Sequence, residues 1–324
     1  MTKSLKSVFT LFSILAIFLL AACGGKEEEK TAEKEEAPVT TEEVTYTVEH
    51  AMGTETITGT PKRIVILTNE GTEALLAMGV TPVGAVQSFT GDPWYEHSAE
   101  LLKDTKDVGV EGEPNVEAIA ALKPDLIIGN KMRQEKIYDQ LKGIAPTIFA
   151  ETLRGDWKEN FKLYAKAINQ EEKGNEVLSD YEDRIANISE KLADKKNMKV
   201  SMVRFMSGEV RIYHKDTFSG VILSDLGFAR PESQDVDDFA ERNVTKERIP
   251  AMEGDILFYF TYDTGDGKGT ELEDDWINDP LFQNLEVAKK GAVHKVNDTT
   301  WNTAGGVLAA NLMLDDIEGI FEIK

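Results

Sequence analysis

The sequence predicts an α/β fold of two lobes joined by a long helix, and three observations predict it. Short β-rich runs alternate with helical stretches over residues 56–152, a long amphipathic stretch of different composition fills residues 153–195, and the alternation returns over residues 196–324. Strands that alternate with helices pair in parallel and are covered on both faces.

In the first lobe, Ile64–Leu67 is a β-rich run, Glu70–Met78 reads as a helix ended by Gly79, and Val83–Val86 is a second strand. A helix over Val116–Leu122 leads through Lys123 and Pro124 into a strand at Asp125–Gly129, then a helix over Gln134–Leu141 and a strand at Thr147–Phe149. From Trp157 to about Ala193, Phe161, Leu163, Tyr164, Ile168, Val177, Leu178, Tyr181 and Ile185 recur at helical spacing, which predicts one long helix. The second lobe is expected to hold strands at Val200–Phe205, Asp255–Phe260 and Ala292–Val296, with helices at Phe218–Leu226, Lys246–Met252 and Gly306–Phe321.

The N-terminus carries different information. Lys3 and Lys6 precede an apolar run from Val8 to Leu20, followed by Ala21, Ala22 and Cys23. A basic start, a short apolar stretch and small residues before a cut describe a signal peptide over residues 1–22, too short and wrongly flanked for a standard membrane span. The small residues ahead of the single cysteine resemble a bacterial lipobox, in which Cys23 takes a diacylglycerol and becomes the mature N-terminus. Residues 23–55 then read as a lipidated start and an acidic tether, since Lys26–Glu43 offers almost nothing to bury.

One cysteine excludes a disulfide framework, so the exported chain has to rely on a packed core. The formal charge of -22 argues against nucleic acid and against adhesion to anionic lipid. The two lobes also share a faint echo: Glu117 lies eight residues before Asp125 and Glu247 eight before Asp255, each on the helix that precedes a strand. By spacing alone both are solvated helix-face carboxylates, as most glutamates are.

Three stretches, Pro61–Val86 (PKRIVILTNEGTEALLAMGVTPVGAV), Asn115–Gly129 (NVEAIAALKPDLIIG) and Tyr138–Phe149 (YDQLKGIAPTIF), resemble the substrate-binding lipoproteins of bacterial iron-siderophore and cobalamin ABC importers, and within them the siderophore branch of Gram-positive organisms. The resemblance covers nearly all of the mature chain. It implies two αβ lobes bridged by one rigid helix, a ligand cleft between them, no enzymatic activity, and a monomer anchored on the outer face of the cell membrane. It further implies that Glu117 and Glu247 dock onto arginines of a permease dimer served by ATPase subunits.

Ligands of αβ lobes bind beyond the carboxyl ends of strands. The residues expected there are Asn69, Gln87, Phe89, Trp94, Tyr95 and Arg133 in the first lobe, and Arg204, Arg211, Tyr213, His214, Tyr262, Trp301 and Asn302 in the second. A ferric siderophore suits this set, because guanidinium groups can hold iron-bound oxygens while aromatic faces pack on the organic shell, with no protein atom on the metal and no cofactor. Arg204 sits where the resemblance places a ligand arginine, whereas Arg133 and Arg211 could equally be surface groups paired to carboxylates. In the family it resembles, members that take highly anionic carboxylate siderophores crowd arginines into the last loop; here that loop reads Trp301, Asn302, Thr303, Ala304, Gly305, Gly306, and the departure favours a less charged ligand, a hydroxamate or citrate-hydroxamate over a catecholate.

Haem, cobalamin or a bare metal ion are the rivals on the same fold. His50, His97, His214 and His294 are too scattered in sequence to suggest a compact ligand set. An anchored hydrolase would want a nucleophile motif, and the chain has no Gly-x-Ser-x-Gly, Ser-x-x-Lys or His-Glu-x-x-His. Gly265, Gly267 and Gly269 with Asp263, Asp266, Asp274 and Asp275 read as an acidic surface loop. An adhesion lipoprotein would present its aromatics as a flat patch, so convergence of Trp94, Arg204, Tyr262 and Trp301 on one cleft discriminates the two.

Overall fold

The computed structural model describes residues 44–323. The signal peptide, Cys23 and the tether up to Glu43 lie outside the described residues. The fold begins earlier than the expected boundary at residue 56, with an antiparallel hairpin of β1 (Thr45–His50) and β2 (Gly53–Thr58). Val48 and Ile57 fix its inner face, and Tyr46 donates from its hydroxyl to Ala167 O at 3.0 Å.

The first lobe is built on β3 (Ile64–Ile66), β4 (Gly84–Gln87), β5 (Lys106–Val110), β6 (Glu113–Pro114), β7 (Leu126–Asn130) and β8 (Thr147–Ala150). Their order across the sheet is β6-β5-β4-β3-β7-β8, parallel throughout except for β6. The fully buried runs of β3, β7 and β8 are what a sheet covered on both faces requires. Its helices are α1 (Asn69–Ala77), α2 (Val116–Ala121), α3 (Lys131–Gln134) and α4 (Tyr138–Lys142), the last two separated by a 3-10 turn where one helix was expected.

The second lobe carries β9 (Val200–Met206), β10 (Glu209–Tyr213), β11 (Ala240–Glu241), β12 (Ile256–Tyr262) and β13 (Val293–Lys295) in the order β11-β10-β9-β12-β13. β9, β12 and β13 run parallel, β10 is added antiparallel to β9 through the Gly208 turn, and β11 pairs antiparallel to β10.

Between the lobes the expected single helix is two: α5 (Trp157–Ala167) and α6 (Glu171–Leu192). The chain bends at Ile168–Gln170, where Asn169 adopts a left-handed φ of 56°, a conformation asparagine tolerates better than most residues. α6 is the long strut, about 33 Å at 1.5 Å per residue. α5 and α6 approach closely because residue 174 is glycine: a Cβ there would sit 2.5 Å from the Ala165 methyl.

After them come α7 (Phe218–Asp225), α8 (Lys268–Ile277), α9 (Pro280–Gln283), α10 (Glu286–Lys289) and α11 (Val307–Ile320). The expected acidic loop at Asp263–Asp275 is in large part α8. Asp263 accepts the backbone N–H groups of Gly265, Gly267 and Thr270 and so turns the chain into the helix, with Gly267 at its N-cap.

α11 returns to pack on α1 of the first lobe and on α6. There the Glu73 carboxylate of α1 accepts the Ala309 N–H at 2.9 Å, a contact that residue 306 permits only as glycine, since a Cβ would lie 2.6 Å from that of Glu73. One hydrophobic core therefore runs from Ile64 and Ala74 through Trp157 and Tyr181 to Val200, Phe258 and Met313, shared by both lobes. The outer faces have separate cores, around Val65, Ile127 and Phe149 in the first lobe and Phe205, Leu257 and Phe282 in the second.

Candidate functional site

Period-two alternation in the second sheet brings the chemistry of the site to one face. On β9 that face carries Arg204 and Met206, on β10 Glu209, Arg211 and Tyr213, and on β12 Tyr262 beside Met206. Arg211 pairs directly opposite Arg204, and like charges in that register repel. Each is held by its own carboxylate. Arg204 donates from Nε to Asp298 Oδ1 at 2.6 Å and from Nη2 to Oδ2 at 3.0 Å, and its Nη1 reaches the Tyr213 hydroxyl at 3.3 Å. Arg211 donates to Glu209 Oε2 at 2.6 Å, and Arg242 donates to the other oxygen of Glu209 at 3.0 Å.

The Arg204 and Asp298 side chains are only 8% and 7% exposed, so this forked pair is a fixed element of the floor. Burial opposes the charge on Arg204, but Tyr213 and Asp298 outweigh it and hold the guanidinium protonated, with its pKa raised. Burial raises the Asp298 carboxyl, and Arg204 works against that rise. Arg211 sets its guanidinium 5.7 Å from the Phe239 ring centre and Arg154 sets its own at 4.4 Å, both within cation–π range. Arg204 lies 5.1 Å from the Tyr262 ring centre.

The first lobe contributes an unlike wall. Arg133, in α3 just beyond β7, donates from Nε to Glu111 Oε1 at 3.1 Å. Phe89 and Met132 stand at the rim with 38% and 41% of their surface exposed. Tyr262 donates from its hydroxyl to Phe89 O at 3.2 Å, and Thr90 and Thr299 hydroxyls meet at 3.2 Å, so one edge of the cleft is bridged.

Between the walls lies a cavity of about 750 Å³, within the usual size of a small-molecule site. Of the residues expected from sequence, Phe89, Arg133, Arg204, Arg211, Tyr213, Tyr262 and Asn302 line it together. Six do not. Trp301 is fully buried because the π-helical turn over Thr299–Thr303 turns it inward onto Phe258 and toward Asp316, whose carboxylate its Nε1 meets at 2.8 Å, leaving Asn302 and Thr303 to face the cavity. Trp94 and Tyr95 are packed into the shared core, and Asn69 is buried against Glu111. His214 lies behind Asp238, which pairs with its Nδ1. Gln87 turns outward to Asp107, at 2.6 Å. Arg204 and Tyr262 thus converge while the two tryptophans do not.

Arg154, Arg242 and Phe239 line the cavity without having been expected. Arg154 lies in the segment read as the start of the inter-lobe helix, and Phe239 and Arg242 follow the acidic run Asp235–Asp238, where only the two-residue strand β11 gives local order. With them, five guanidinium groups surround the cavity.

Glu117 and Glu247 are both exposed, each in the first turn of the helical segment that leads to a parallel strand, β7 and β12 respectively. Thr245 and the backbone N–H at residue 247 lower the Glu247 carboxyl. Among the described residues no group of three or more His, Cys, Asp and Glu is arranged to hold a metal ion.

Residues 64–299 match the periplasmic binding protein family. The chain belongs to that family. It is a binding protein rather than an enzyme. Over 329 residues, covering 99% of each chain, it is 51% identical to the probable siderophore-binding lipoprotein YfiY of Bacillus subtilis. It is 30% identical to the achromobactin-binding periplasmic protein of Dickeya dadantii, over 79% of this chain and 85% of that one. Among solved structures, Staphylococcus aureus SirA complexed with staphyloferrin B superposes with a TM-score of 0.81 at 36% identity, over 86% of this chain and 99% of the other.

Proposed function

We propose that this chain is the substrate-binding lipoprotein of an iron-siderophore ABC importer, and that its cleft holds a ferric siderophore bearing anionic carboxylate groups. The observation that carries this reading is the cavity itself: five arginines, with Phe89, Tyr213, Phe239 and Tyr262 among its lining. Guanidinium forks suit carboxylates and iron-bound oxygens, and the aromatic faces suit the organic shell. The relatives named for siderophore binding, at 51% identity in sequence and a TM-score of 0.81 in structure, support it.

The preference for a hydroxamate or citrate-hydroxamate rested on the arginine-free loop at Trp301–Gly306. The arginines come instead from β9, β10, α3, the residue before Gly155 and the residue after β11. That placement moves the preference toward the citrate-bearing, more anionic end. Catechol and hydroxamate complexes bring fewer free carboxylates to meet those forks.

Cys23 anchors the receptor to the outer face of the membrane, as the lipoprotein relatives support. Glu117 and Glu247, one on each lobe and both open to solvent, dock the loaded receptor onto a permease dimer. The test of the ligand is a tryptophan-fluorescence titration of the mature chain with ferric citrate, a ferric trihydroxamate and a ferric tris-catecholate. Saturation by the carboxylate complex below about 1 µM, with weaker response to the others, is the expected result. No saturation by any of the three overturns the reading.

A further inference from the structure

Two carboxyl groups stand on the first-lobe side of the cavity, Glu70 in the first turn of α1 and Glu111 after β5. Their surroundings are unequal. Glu111 takes the backbone N–H of Asn69 at 3.0 Å, the Asn69 side chain at 3.1 Å and the Arg133 guanidinium at 3.1 Å. It therefore claims both a free donor of the α1 N-terminus and the cation of this wall. Glu70, 6% exposed, has no Lys, Arg or His within ion-pair distance among the described residues. Its Oε1 accepts the Tyr164 hydroxyl at 3.3 Å, and the Asn160 side chain hydrogen-bonds the carboxyl as well.

We propose that Glu70 faces the cleft as a protonated acid and donates its O–H to an acceptor oxygen of the bound anionic complex. This rests on the ligand reading above. A second buried negative charge beside Glu111, without a cation of its own, is disfavoured by both desolvation and repulsion. Burial, the neighbouring Glu111 and the more distant Asp156 all push the Glu70 carboxyl up, against the Asn160 and Tyr164 hydrogen bonds.

The other elements packed on α1 do not change that balance. α5 presents Tyr164 and Asn160, β3 and β4 present no titratable group, and the turn into α11 presents Gly305 and Gly306. Glu73, one turn along α1, is occupied by His97 at 2.6 Å and by the Ala309 N–H. A neutral donor at this point lets the first lobe approach an anion that an ionised Glu70 would repel. The cleft thereby tells apart ligands with an acceptor oxygen on that side from those with an amide or ammonium donor.

The sign follows directly: binding needs Glu70 protonated, so affinity falls as pH rises through its pKa in the folded receptor. The test titrates wild type and Glu70→Gln with ferric citrate between about pH 6 and about pH 9, and takes the ratio of the two dissociation constants, which cancels the ligand's own speciation. The ratio of wild type to variant is expected near one where Glu70 is protonated and to rise with pH above its pKa, toward about tenfold per pH unit. A ratio flat with pH overturns the role of Glu70 while leaving the ligand reading intact; failure of wild type to saturate at any pH overturns both. Should the variant not fold, calorimetry of wild type in two buffers of different ionisation enthalpy reads the same property. Proton uptake on binding beyond that of the ligand is expected toward high pH, and its absence overturns the proposal.

Discussion

Asp298→Ala isolates the forked pair at the floor of the cleft. The substitution removes the carboxylate that takes both Nε and Nη2 of Arg204 and leaves a guanidinium, 8% exposed, with only the Tyr213 hydroxyl. Stripping one partner from a pair buried this deeply costs about 3–5 kcal/mol, because the remaining charge is held away from water without compensation. Urea unfolding at neutral pH, followed by tryptophan fluorescence, reads that loss directly. A useful contrast is Asp225→Ala, which breaks the outer pair with Lys158, where the side chains are 30% and 25% exposed; it is expected to cost at most about 1 kcal/mol. The double variant Arg204→Met/Asp298→Leu removes both charges, and it is expected to be more stable than Asp298→Ala alone while binding the ferric complex less tightly. A loss below about 1 kcal/mol for Asp298→Ala, or a double variant no more stable than the single one, would show that water reaches the pair and would refute this account of the cleft floor.

Two further predictions concern exposed carboxylates and one that is mostly buried. Glu117→Ala/Glu247→Ala is expected to leave ferric-complex affinity unchanged and to abolish uptake into cells; uptake at the wild-type rate would remove both residues from docking. Glu209 is depressed to about 2 by hydrogen bonds from Arg211 and then Arg242, against the effect of burial. A depressed carboxyl contributes stability that is present above its ordinary value of 4.5 and is lost as pH falls through its folded value of about 2. The stability difference between wild type and Glu209→Gln should therefore hold steady near neutrality and shrink only below that ordinary value, as read by urea midpoints over acid pH.

Much of the first lobe was legible because its strands are short, mostly apolar runs, and β3, β7 and β8 fall within a residue or so of expectation. The hairpin Thr45–Thr58 was missed since one buried residue per strand, Val48 and Ile57, gives little pattern to read. The break at Asn169 was readable in principle, because an asparagine followed by Glu171 and Glu172 marks a helix end and a fresh acidic first turn. Arg204 and Tyr262 could be placed because they lie at or near the carboxyl ends of parallel strands. Trp301 could not, because a π-helical turn decides which of two adjacent residues faces the cavity, and that turn is imposed by the packing of Phe258 and α11. Arg154 and Arg242 gave no local signal, since their place at the cleft depends on segments whose path is set by tertiary contacts.

The seat of α11 bears on how the molecule comes into being. Its apolar side, Val307, Ala309, Ala310, Met313, Leu314 and Ile317, completes a core that begins at Val48, and its first turn is tied to Glu73, 236 residues earlier. For a chain delivered N-terminus first, the first lobe cannot finish folding as an autonomous unit; its inner face stays open until the last helix has crossed. Contacts of such sequence separation slow folding and prolong the exposure of apolar surface. Maturation of this receptor is thus a closing stitch made by its own C-terminus, and truncation of the final helix should deprive both lobes at once.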